Sequence, residues 1–129
     1  MEKIIEIDGR QIPFKATGNT PRLYRVLFGR DIFKDIKKLS DDIQESQKRQ
    51  EEEGTDDSYL DSITLEVFEN ISYVMAKQAD SSIPNIDEWL DGFSFFSIYL
   101  ILPQILELWN LNMSQISESK KNIAELTAK

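Results

Sequence analysis

The chain of 129 residues contains no cysteine and no histidine. Without thiols there are no disulfides and no thiolate nucleophile. Without imidazole, the triads built on histidine and the ordinary zinc and copper sites fall away. Glycine is scarce and never clustered: the five glycines stand singly at positions 9, 18, 29, 54 and 92. No phosphate-cradling loop is therefore encoded. Long uncharged runs are also missing. The most apolar region is bounded by Asp91 and Glu107, with Pro103 and Gln104 inside it. A membrane span needs about 20 apolar residues, usually with Lys or Arg beside it, so this stretch is too short and wrongly flanked. The opening Met1-Glu2-Lys3-Ile4-Ile5-Glu6 carries acid at once, and no signal peptide is expected.

These absences leave little chemistry. Asp87 and Asp91 stand four apart, but acids near a helix start ordinarily serve its dipole. The acids between positions 41 and 57 lack the alternation, glycine and closing glutamate of a calcium loop. No catalytic, cofactor-binding or metal-binding residue is expected, and the protein is read as one that works by contact.

The net charge is −8 and unevenly spread. Residues 1–39 carry nine Lys or Arg against five Asp or Glu, whereas residues 40–112 are strongly acidic. This argues against general nucleic-acid binding and for a basic face that meets an acidic one, within or between subunits.

Residues 93–109 are the apolar centre of the chain, with twelve of seventeen positions apolar or aromatic. On a helix, Ser94, Ser97, Gln104 and Glu107 fall on one narrow stripe and the rest is apolar. The expectation is a helix running to Asn112, about 30 Å long, covered on most sides. Pro103 is expected to kink or break it. It is either a core helix or a core helix that also supplies an oligomer or partner surface.

The expected fold is mainly α: a small helical domain with an N-terminal β-hairpin, an acidic loop and a flexible C-terminal tail. Residues 1–112 form the domain, with the hairpin in 1–16, and 113–129 form a polar tail. Asp8-Gly9 is a two-residue hairpin turn that pairs Ile5 with Ile12 and Lys3 with Phe14. Pro13 makes the second strand an edge. The hairpin is expected to be a docked accessory. Thr20-Pro21 starts a helix with Thr20 as its cap and Leu23, Val26 and Leu27 as its apolar side, and Gly29 ends or bends it. Asp31 caps a second run with Ile32, Ile36 and Leu39 spaced i, i+4, i+7. Residues 40–58, in which Ile43 is the one apolar residue before Ser58, read as a mobile acidic loop or frayed helix end. A helix from Ser62 carries Leu65, Phe68, Ile71, Val74, Met75 and Ala79 inward, with Glu69 and Lys77 toward water. Asn85 caps a short turn that Gly92 breaks. Trp89 suits the core; Trp109, at the exit of the apolar helix, suits an interface.

One segment carries more. Ile12-Pro13-Phe14-Lys15-Ala16-Thr17, then Thr20-Pro21-Arg22-Leu23-Tyr24-Arg25 and Phe28-Gly29-Arg30-Asp31-Ile32-Phe33-Lys34-Asp35-Ile36, resembles the tail assembly chaperones of long, non-contractile-tailed bacteriophages. There a short hairpin leads to a Thr-Pro helix with Tyr-Arg, then Phe-Gly-Arg/Lys-Asp. The layout is similar too: an acidic insert, a helix with aromatic and Met content, a Trp-Leu segment, an apolar helix and a polar tail. The resemblance implies a chaperone that keeps the tape measure protein soluble in the bacterial host cytoplasm during phage assembly and is absent from the finished virion. It also implies a longer product, made by ribosomal frameshifting, that recruits the tail tube protein.

A ridge of Phe95, Phe96, Ile98, Leu102, Leu106 and Trp109 suits the apolar stripe of a partner helix. Arg22, Arg25 and Arg30, with Lys34, form either a steering surface or a plain solvated face. Self-association through the same apolar helix is the further partner expectation, with no nucleic acid and no membrane. The alternative reading is a small acidic helical adaptor or regulator acting by oligomerisation or partner-helix binding. A helix-turn-helix over 20–39 is disfavoured by overall acidity and by aromatics where a recognition helix exposes polar groups.

Overall fold

The structure, a computed structural model, describes residues 2–53 and 62–109, with the backbone alone described over 46–53. It begins with an antiparallel hairpin, β1 (Glu2–Ile7) and β2 (Arg10–Lys15). Then follow α1 (Thr20–Phe28), α2 (Ile32–Glu53), α3 (Ser62–Ala79), α4 (Ile86–Asp91) and α5, over 98–109. The expected mainly helical fold with an N-terminal hairpin is what forms. The tail, 113–129, lies outside the described residues, as do 110–112.

The hairpin follows from local chemistry. Asp8 and Gly9 both take positive φ, 55° and 78°, as a type I′ turn demands. The register pairs Ile5 with Ile12 and Lys3 with Phe14, as the turn predicts. Ile5, Ile7 and Phe14 are buried on one face and Ile12 is half-buried there. The hairpin is more than an accessory, because β2 packs on α3 and its tip holds a distant segment. The Arg10 guanidinium donates to the Gly92 carbonyl at 2.9 Å and lies 4.5 Å over the Phe93 ring. The Ser94 N–H donates to Asp8 Oδ2 at 3.0 Å.

α1 begins one residue earlier than its sequence suggests. Asn19 takes the cap position without a side-chain bond, and the buried Thr20 hydroxyl instead accepts from the Thr17 N–H at 2.9 Å. Gly29, at φ 67°, closes the helix by donating to the Arg25 carbonyl. Its expected inner face is right only at Leu23, which is half-buried against the core. Tyr24 and Thr20 are buried, whereas Val26 is 69% exposed and Leu27 is also turned outward. A polar network explains the roll: the Tyr24 hydroxyl donates to Asp35 Oδ2 at 2.6 Å, and Arg30 grips both oxygens of the same carboxylate at 2.7 and 2.9 Å. Turning Val26 inward would pull Tyr24 off a buried charge.

The expected acidic loop is helix as far as Glu53, and its last part, 54–58, lies outside the described residues. Asp31 caps α2 by accepting from the Phe33 N–H at 2.9 Å. Ile32, Ile36 and Leu39 are buried, and Ile43 extends the same stripe by four residues. Lys37–Asp41 and Lys38–Asp42 are i, i+4 ion pairs, and the Thr64 hydroxyl donates to Asp42 across to α3 at 2.6 Å.

α3, rather than 93–109, is the organising element. Ten of its residues are buried, and it packs against β2, α1, α2 and α4. Lys77 is half-buried, and its ammonium donates to the Ser81 and Ile83 carbonyls and closes the helix end. The stretch 93–109 is not one helix. Residues 93–97 are non-helical, held by the hairpin tip, and α5 starts at Ile98. α5 buries Ile98, Ile101, Leu102, Ile105, Leu108 and Trp109 on one side. Pro103 does not break it. The proline sits on the exposed side, where the Tyr99 carbonyl that loses its donor can face water. No described helix is long and apolar enough to cross a membrane.

Candidate functional site

The segment joining α4 to α5 decides which apolar side chains reach solvent. Asn85 caps α4 by accepting from the Glu88 N–H at 2.9 Å, and this turn presents Trp89 inward. Around Trp89 the aromatic rings interlock. Phe93 meets it edge-on at 5.2 Å, Phe96 at 5.5 Å and Tyr73 at 5.6 Å. Phe96 also stacks on Phe68 of α3 at 5.3 Å. Phe96 is thus the anchor of the segment. Its neighbour Phe95 is left on the outside.

The outcome is an exposed apolar strip. Phe95 is 63% exposed, Tyr99 50%, Leu100 66%, and Leu65 on α3 39%. Between α3 and 95–99 runs a shallow groove of about 390 Å³, whose lining includes Leu65, Phe68, Phe95, Phe96, Tyr99 and Glu69. Glu69 is the charged residue of that lining. It is half-buried and makes no hydrogen bond or ion pair among the described residues. Burial, aided by the nearby Glu66 carboxylate, pushes its carboxyl above the usual range.

The predicted partner ridge is therefore split. Phe95 belongs to the exposed strip and Phe96 to its floor. Leu102 is buried in the core and offers nothing to a partner, whereas Ile98, also largely buried, still lines the groove beside Phe96 and Tyr99. Leu106 is half-buried in a separate groove with Phe33 and Ile36. Trp109 is a correction: it is fully buried, 5.6 Å from the Phe33 ring, and its Nε1–H finds no acceptor among the described residues. An indole at a helix exit reads as an interface residue only until the partner ring within the chain is known.

Of the basic residues, Arg22 and Arg25 are exposed on the outer side of α1. Arg30 is committed to Asp35 and is a structural partner, not a free contact. Sequence reasoning missed Tyr99 and Leu100 as surface residues and placed Leu65 inward and Glu69 simply in water. The i, i+4 spacing of Phe95 and Tyr99 was a signal for a shared face, but nothing in the pattern said that the face is outside. No protein-family model, curated protein or solved structure matches the chain.

Proposed function

We propose that this protein is a phage tail assembly chaperone that binds the tape measure protein, keeps it soluble in the host cytoplasm and leaves before the virion is complete. The tail tube protein is recruited through a longer, frameshifted product. The reading rests on the resemblance of residues 12–36 to that family. The observation that carries it is the exposed strip of Leu65, Phe95 and Tyr99 along one groove, with Leu100 exposed next in sequence. A monomer with no use for such a strip gains by replacing it with polar residues.

The magnitudes suit a transient holder. Fully burying a large apolar side chain is worth about 1.5–3 kcal/mol, and these four are already part-covered. A docked helix would gain roughly 4 kcal/mol gross from them, before the cost of association. One contact of this size is weak; many copies along a long helical client would be strong together. That profile protects a client and still releases it.

The test is co-expression of the tape measure protein with the wild-type chain or with Phe95→Ser/Leu100→Ser. The wild type is expected to hold the client in the soluble fraction and the folded double variant to lose it. A client that stays insoluble with wild type overturns the function and leaves the adaptor reading. A client kept soluble by the double variant overturns the assigned surface.

A further inference from the structure

We infer that the groove between α3 and residues 95–99 receives a cationic amphipathic helix, with one Lys or Arg side chain seated on Glu69 and an apolar stripe against Leu65, Phe95 and Tyr99. The inference rests on the chaperone reading only for which protein supplies that helix.

Glu69 is the reason. The other described acids that are not fully exposed are matched, Asp35 with Arg30 and Asp42 with Lys38. Among the described residues Glu69 has no such cation, and no Lys or Arg lines its groove. Half-buried, its carboxylate is still open to solvent. When an apolar helix closes over the groove that access is lost, and a carboxylate buried without a partner is costly. A neutral apolar partner must bear this cost, and an acidic one adds its own repulsion to that of Glu66. A cationic partner turns the same carboxylate into a charge-assisted contact.

The walls favour the same occupant. Phe95, Phe96 and Tyr99 supply aromatic surface around the carboxylate, and an ammonium or guanidinium is stabilised near such rings. The methylene stem of Lys or Arg matches the apolar flanks. The groove is built from side chains of a helix and a connecting segment, with no strand edge. It therefore suits a partner that presents side chains from a helix, not one that adds a strand.

The experiment uses the full chain and three synthetic amphipathic peptides with the same leucine stripe, carrying Lys, Gln or Glu beside it. Binding is read by fluorescence anisotropy at physiological salt. The Lys peptide is expected to bind about tenfold or more tighter than the Gln peptide, as one charge-assisted contact allows, and the Glu peptide weakest. Glu69→Gln should bring the Lys-to-Gln ratio close to one without loss of Gln-peptide affinity. Phe95→Ala should weaken both peptides severalfold. Asp91→Asn removes the same charge outside the groove and should leave the ratio unchanged. A ratio that survives Glu69→Gln, or falls equally with Asp91→Asn, overturns the inference and assigns the preference to the overall acidity of the chain. The two readings fail separately: tape-measure solubilisation without peptide preference sinks this one alone, and peptide preference without solubilisation sinks the chaperone function alone.

Discussion

Tyr24→Phe isolates one buried hydrogen bond at the junction of α1 and α2. Tyr24 is fully buried, and its hydroxyl donates to Asp35 Oδ2 at 2.6 Å. A hydrogen bond to a charged acceptor contributes about 1.5–3 kcal/mol. The change leaves the ring in place against Phe28, 5.3 Å away, so no large cavity opens. Asp35 keeps both bonds from Arg30 and does not become an orphaned charge. The lower half of the range is therefore the right expectation, about 2 kcal/mol. For a chain of this length that corresponds to a fall in Tm of roughly 6–10 °C. Urea unfolding followed by far-UV circular dichroism measures it, with the slope m unchanged if only the native state is affected. A double-mutant cycle with Asp35→Asn assigns the loss: the pair should couple by about 1–2 kcal/mol, since each variant breaks the same bond. A loss under about 0.5 kcal/mol, or strict additivity, refutes the claim that this network sets the roll of α1.

Three further outcomes follow from the same structure. Burial alone would push the Asp35 carboxyl up, but hydrogen bonds from Arg30 and Tyr24 and the charges of Arg30 and Lys38 hold it below the usual carboxylate range. Its stabilisation is then present above the unfolded value of about 3.9 and is lost as pH falls through the lower folded value. The stability gap between wild type and Asp35→Asn should hold from pH 7 to about 5 and narrow below about 4, as pH-dependent urea melts would register. Gly29→Ala forces a side chain into a left-handed position and should destabilise by about 1–2 kcal/mol, despite open space around the Cβ. Ile71→Ala, in the middle of α3, should cost about 2–5 kcal/mol, whereas Leu100→Ser on the exposed strip should stay within about 0.5 kcal/mol, a contrast that one set of thermal melts resolves.

Features written in short-range chemistry could be read from the sequence; those set by distant partners could not. Asp8-Gly9 and the alternation around it determined the hairpin and its register, because a two-residue turn leaves no freedom. Asp31, Asn85 and Gly29 marked helix ends by capping rules alone. The sequence left 40–53 open between loop and frayed helix end because composition outweighed spacing: Ile43 continues the stripe of Ile32, Ile36 and Leu39, yet its neighbours are polar. α1 was rolled wrongly because apolar counting favours Val26 and Leu27 over a tyrosine. The bond from Tyr24 to Asp35, eleven residues on, reverses that choice. Phe95 and Phe96 are adjacent and chemically identical, so only Phe68 and Trp89 tell them apart.

The exposed strip is a consequence of the hairpin. Left to its own pattern, 93–109 favours one continuous helix, which would separate Phe95 and Phe96 by only 100° and allow both to be partly covered. The Arg10 guanidinium occupies the Gly92 carbonyl that such a helix would use at its start, and the Asp8 carboxylate ties the Ser94 N–H to the hairpin turn. The chain from 93 to 97 is then extended enough to drive Phe96 between Phe68 and Trp89, and Phe95 is left on the outside beside Tyr99 and Leu100. Both contacts are made by exposed side chains of the turn and strand end, where they add little to global stability. Their weight is local: they determine where α5 begins and hence which apolar side chains a partner meets. The hairpin and the surface proposed to hold the client are thus joined through Asp8 and Arg10 at the hairpin tip.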